Sequence, residues 1–213
     1  LLALTAGMLA FLGLDTLAEA LDQANFVAGP LQGVGMIAIG VAATFFVLEA
    51  ISRREAAAGK SPAEQRLGLA YRIALGIGLH NLGEGLAIGA AFALGEAALG
   101  AFLVIGFTLH NITEGVGIAA PVAREEPRLR HFVQLAALAG GPAILGTWIG
   151  GLSYSPVAAV LFLAVGAGAI FQVVYELLKL MVADSRTPAF GYQVAGFAAG
   201  LLLMYLTGLF VAA

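Results

Sequence analysis

The chain has 213 residues, 61% of them hydrophobic and 11% charged, a net charge of −3 and a mean hydropathy of +0.96. So few polar residues cannot cover a soluble globule of this size, so the expected fold class is an all-α membrane helix bundle with no nucleic-acid partner. The absence of cysteine excludes disulfides and thiolate metal ligands.

Seven apolar stretches follow one another at 1–21, 31–51, 67–94, 97–122, 132–152, 157–182 and 190–213. Each has about the twenty residues that cross roughly 30 Å of hydrocarbon at 1.5 Å per residue. Turn chemistry separates them: Gly29-Pro30, Ser61-Pro62, Gly95-Glu96, Glu126-Pro127, Ser155-Pro156 and Thr187-Pro188. No linker divides the chain, so residues 1–213 form one transmembrane domain. Its 29 glycines and many alanines suit close helix packing in lipid.

The ten basic residues are unevenly placed. Arg53, Arg54, Lys60, Arg66 and Arg72 surround the second joint, Arg124, Arg128 and Arg130 the fourth, and Lys179 and Arg186 the sixth. The positive-inside rule makes these joints cytoplasmic and the C-terminus external, with Arg72 snorkelling to the same interface. The first span has neither a polar flank nor an initiator Met, so a further N-terminal piece is expected, with another span in it.

Within the third and fourth spans one pattern occurs twice: His80-Asn81-Leu82-Gly83-Glu84-Gly85 and His110-Asn111-Ile112-Thr113-Glu114-Gly115. Residues four apart on a helix share a face, so each copy stacks an imidazole and a carboxylate. The short turn at Gly95-Glu96 makes the two spans an antiparallel hairpin. With its two-fold near Ala97, Glu84 and His110 lie at one depth and His80 and Glu114 at another, roughly 20 and 26 Å along the axis at 1.5 Å per residue. One copy alone reads equally well as a satisfied core histidine and a bonded carboxyl. Two copies at matching depth read as a cage, because ionisable groups in hydrocarbon are costly and mark ion paths. The two imidazole nitrogens and two carboxylates suit a borderline divalent ion such as Zn2+, and tolerate Cd2+, Fe2+, Mn2+ or Co2+. Asn81 and Asn111 add carbonyl oxygens one position on, and Met8 offers a thioether.

Further acids lie elsewhere. Gly7 to Asp15 in the first span and Gly168 to Glu176 in the sixth share an eight-residue spacing, and the two spans run in opposite directions. This is a hint of an inverted repeat of the kind transporters use. Asp15, Glu19 and Glu176 are expected along the route to or from the cage, against the plain alternative that they are interfacial. His131 beside Arg130, Glu49 near Arg53, and Trp148 read as interface or packing residues.

The paired His-Asn-x-x-Glu-Gly motif resembles the signature of the ZIP (Zrt/Irt-like) divalent-metal transporters, and is most similar to their bacterial GufA-like branch. The resemblance implies eight spans with both termini outside, of which seven are visible here, and a flux of metal into the cytoplasm across the bacterial inner membrane. It also implies primary ligands at His80, Glu84, His110 and Glu114, a neighbouring second-metal position at Asn81 and Asn111, a soft ligand at Met8, and pathway acids at Asp15 and Glu176. Some features depart from the family. The proline often found just ahead of each Glu is replaced by Gly83 and Thr113, so a helix kink is less assured. The stretch 132–152 has no acid, Asn111 stands where some relatives have one, and Ser52 to Gln65 lacks the His-rich loop.

The reading is a transporter of divalent transition metals, zinc first, working by alternating access. It is no enzyme and has no resident cofactor; its expected partners are the metal ion and the bilayer, with a second copy in a homodimer left open. Two other readings stay open at this stage. One is an intramembrane metalloenzyme, against which stand the lack of an H-E-x-x-H and of a separate general base. The other is a proton-coupled carrier that uses the same groups without metal.

Overall fold

In hydrocarbon every backbone N–H and C=O must be satisfied within the segment, which leaves a helix as the only state open to a single apolar span. The structure, a computed structural model, describes residues 2–29, 32–125, 127–183 and 190–212. It is all-helical: α1 (Leu2–Ala24), α2 (Gln32–Ala57), α3 (Pro62–Ala93), α4 (Ala97–Ala119) with a 3-10 turn at Ala120–Val122, α5 (Leu129–Leu152), α6 (Pro156–Ala183) and α7 (Phe190–Ala212). Each of the seven is long and apolar enough to span a membrane. Pro30, Glu126, Arg186 and the Thr187-Pro188 joint fall outside the described residues.

The largest differences from the sequence reading are at the α2–α3 joint. There α2 runs on to Ala57 and α3 begins at Pro62. These added turns are polar, so apolar counting passes over them. A capping box fixes the start of α3: the Ser61 hydroxyl accepts from the Glu64 N–H at 3.3 Å, and the Glu64 carboxylate accepts from the Ser61 N–H at 2.9 Å. Pro62 follows at the first helical position, where its missing N–H costs nothing. At the other end of α3, Gly95 takes φ +81° and turns the chain directly into α4, forming the expected hairpin. Both motif-bearing helices are continuous through Gly83 and Thr113.

Glycines set how closely the helices approach. A Cβ on Gly78, Gly85 or Gly89 of α3 would press into the carbonyls of Leu138, Ala143 and Thr147 of α5, and one on Gly146 or Gly150 would press into those of Leu82 and Leu86. The two helices are thus in backbone contact along most of their length, the means by which lipid-embedded helices associate. Gly7 and Gly200 seat α1 on α7 in the same way, and Gly168 seats α6 on the Val41 carbonyl of α2. The eight-residue Gly-to-acid spacing thus begins in each case at a backbone contact with a neighbouring helix. In the middle α6 packs on α1, α2 and α3, and Met8, Leu12, Ile73, Ile77, Ile170 and Leu177 join one apolar core.

Gly146→Ala drives a methyl into the Leu82 carbonyl and should lower the thermal midpoint in detergent by roughly 3–10 °C, the effect of overpacking a well-packed interface. Gly140→Ala places its methyl where nothing lies within 4 Å. Size-exclusion profiles after heating should show no loss for that control.

Candidate metal centre

The repeated motif becomes a cluster because α3 and α4 turn its two copies towards each other. His80, Asn81 and Glu84 are buried on α3, and His110 and Glu114 are buried on α4. The imidazole rings lie 6.3 Å apart, centroid to centroid. His80 Nε2 is 3.3 Å from Glu84 Oε1, and His110 Nε2 is 3.8 Å from Glu114 Oε1. One ligand-capable atom each from His80, His110 and Glu114 fall within 4.8 Å of one another. Yet His80 Nε2, His110 Nδ1 and both Glu114 oxygens have no hydrogen-bond partner among the described residues. Buried acceptors facing one another without a donor are expensive. A cation at the point where His80, His110 and Glu114 converge would supply the charge these acceptors lack.

The neighbouring positions differ in character. Asn81 Nδ2 donates to the Ala139 carbonyl of α5 at 3.1 Å, while Oδ1 is buried without a partner among the described residues. Asn111 is half-buried, and its Oδ1 is likewise unpartnered. Met8 is 2% exposed within the apolar core, against Gly200 of α7. On the α1 side Thr16, fully buried, lies between the Leu12 carbonyl and His80 Nδ1.

A cavity of about 460 Å³ reaches the cluster, lined by His80, Glu84 and His110 and by Asp15, Glu19 and Asp22 of α1. Asp15 and Glu19 therefore share a space with the cluster. Asp22 completes their stripe along α1, a signal present in the sequence as acids at i, i+4 and i+7. The cavity runs from the cluster towards the α3–α4 turn, the end of the bundle whose joint carries no basic residue.

Glu176 lies elsewhere. Gly166 of α6 packs against the backbone of Leu79 and His80, and Glu176 is ten residues further along the same helix, roughly 15 Å at 1.5 Å per residue. There it accepts from Ser52 of α2 and pairs with Arg72 Nη2 at 2.8 Å, while Arg72 Nη1 pairs with Glu55 at 2.6 Å. Arg72 is held in this network with its side chain 13% exposed. Close by, Glu49 pairs with Arg53 at 2.8 Å as its position suggested, and also meets Lys179 at 3.5 Å and Gln172 at 3.3 Å. His131 hydrogen-bonds the Tyr71 hydroxyl, and Trp148 is exposed on the bundle surface.

Ionisable donors gathered at the middle of a bundle of membrane-length helices, with a cavity leading to them, define a membrane transport protein. Residues 49–208 match the protein family described as ZIP Zinc transporter, and the chain belongs to that family of divalent-metal transporters. None of the curated proteins matches it.

The absence of native cysteine makes single-thiol labelling unambiguous. Ala18→Cys, on the cavity wall, should react with a maleimide in detergent much faster than Ala20→Cys, whose position is fully buried. Equal rates, measured by mass spectrometry, would contradict the cavity.

Proposed function

We propose that this transporter carries Zn2+ into the cytoplasm across the bacterial inner membrane, holding it midway at His80, Glu84, His110 and Glu114. The observation that carries this reading is the buried group of His80, His110 and Glu114, whose ligand-capable atoms lie within 4.8 Å of one another. Two neutral imidazoles and two carboxylates give the nitrogen and oxygen donors, and the two negative charges, that a borderline dication prefers. Cd2+, Fe2+, Mn2+ and Co2+ fit the same donors less selectively.

The two ends of the bundle support a direction. Asp15, Glu19 and Asp22 line the cavity that reaches the site from the end without basic joints, which the positive-inside rule assigns to the outside. An acidic vestibule there concentrates cations and begins to replace their water. At the opposite, basic end the path is spanned by the Arg72 pairs to Glu55 and Glu176. Metal is taken from the vestibule, sheds water as the imidazoles and carboxylates replace it, and leaves past Glu176 once the helices shift and the Arg72 pairs part. Asn81 and Asn111 offer neutral oxygens beside the site, and Met8 stands in reserve as a thioether. The negative charge for a second tightly held dication is lacking.

In proteoliposomes, saturable zinc uptake should fall at least about tenfold in Glu84→Ala, the usual scale for losing a component of a metal site, and to background when His80, Glu84, His110 and Glu114 are all replaced by Ala. Binding should weaken as pH falls, because each ligand must lose its proton to coordinate. Uptake by the quadruple variant at the parent rate would overturn the site assignment.

A further inference from the structure

Among the described residues, Thr16 is the buried hydroxyl that meets a histidine ring of the cluster, and its geometry fixes which way a proton points. Its Oγ1 lies 2.7 Å from the Leu12 carbonyl and 2.9 Å from His80 Nδ1. A hydroxyl has a single hydrogen, and a carbonyl can only accept. Both contacts are hydrogen bonds only if Thr16 donates to Leu12 and accepts from a protonated Nδ1. The relay therefore runs from the His80 ring through the Thr16 hydroxyl to the backbone of α1. It leaves Nε2 as the nitrogen aimed at Glu84, 3.3 Å from Oε1 and without a hydrogen bond among the described residues.

The helices make this tie informative. α1 packs mainly on α6, α7 and α2, and α3 mainly on α5 and α6, while the α1 and α3 backbones hardly approach each other. Packing between those two helices alone does not settle the ring orientation; a directed hydrogen bond does. The relay also has the form that metal-binding histidines need, in which the nitrogen not facing the ion gives its proton to an outer acceptor.

We propose that Thr16 is the positioning residue of the zinc site: it holds His80 with Nδ1 protonated and presents Nε2 as the ligand atom. The inference rests on the reading of His80 as a zinc ligand. It gives Thr16 no contact with the ion.

The test uses the full chain in detergent micelles. Zinc affinity is measured by competition with a chelating dye for the parent, Thr16→Val, Thr16→Ser and His80→Ala. Thr16→Val keeps the volume and removes the hydroxyl; it should bind about 10–100-fold more weakly, the range seen when an outer partner of a metal-bound histidine is lost. Thr16→Ser restores the hydroxyl and should recover most of that affinity. A second measurement is independent of whether Thr16→Val folds: in the zinc-loaded, 15N-histidine-labelled parent, His80, assigned by its loss in His80→Ala, should show a protonated Nδ1 and a metal-bound Nε2. Parent-like affinity in Thr16→Val while His80→Ala fails to bind would overturn the role of Thr16 and leave the zinc site standing. Zinc bound through Nδ1 would do the same. Parent-like binding by His80→Ala would overturn both.

Discussion

Everything in this molecule answers to the burial of two imidazoles and two carboxylates among helices that pack chiefly through apolar contacts. A charged side chain at the centre of a bilayer costs roughly 2.5–3.5 kcal/mol on insertion scales, and more without partners. Here the partners are mainly one another, and several of their atoms have no donor to meet. The cluster therefore subtracts from stability unless a cation is present. The rest of the bundle has to hold it in place, mostly by packing.

That burden falls on glycine. Hydrocarbon gives apolar side chains no reason to leave lipid for each other, so helices gain only from close fit and from the contacts that close fit permits. α3 and α5 meet backbone to backbone at Gly78, Gly85, Gly89, Gly146 and Gly150. Asn81 adds a directed hydrogen bond across the same seam, to the Ala139 carbonyl. His80 and Glu84 thus stand on a helix welded to its neighbour on one side, while on the side facing α1 the recorded polar tie is a threonine. α6 packs on both α1 and α3, so the helix that carries the α3 donors and the helix that carries the vestibule acids share one supporting neighbour.

The sequence carried the outline of this arrangement because the relevant constraints are local. The need to satisfy every backbone group makes each apolar run a helix, and the tight Gly95 turn ties the register of α3 to that of α4. A histidine and a glutamate four apart on each helix then have to meet near one level, and His80, His110 and Glu114 do. What was not legible lay either in local polar signals that an apolar count passes over or in distant partners. The polar ends of α2 and α3 are helical because of a capping box and ion pairs, features that an apolar count ignores. Nothing near Arg72 in sequence shows that Glu55 and Glu176 converge on it. Thr16 was invisible for a subtler reason. A threonine bonded to the carbonyl four residues back is ordinary in a helix, and only the fold brings a ring nitrogen to its remaining lone pair.

The same physical logic bears on which ions the site can prefer. Hard dications such as Mg2+ and Ca2+ seek six or more oxygens and release water reluctantly, and a cage of two imidazoles with two carboxylates offers too few. Soft monovalent copper favours thiolates and thioethers, and the chain has no cysteine, while Met8 is packed in the apolar core. Between these limits, the imidazole nitrogens raise affinity for late transition metals, and a four-donor set suits an ion indifferent to geometry, which zinc is. Asn81 and Asn111 add no charge next to the two carboxylates, and tight trapping would oppose release. Moderate affinity is what a carrier needs, because an ion held too firmly would never leave.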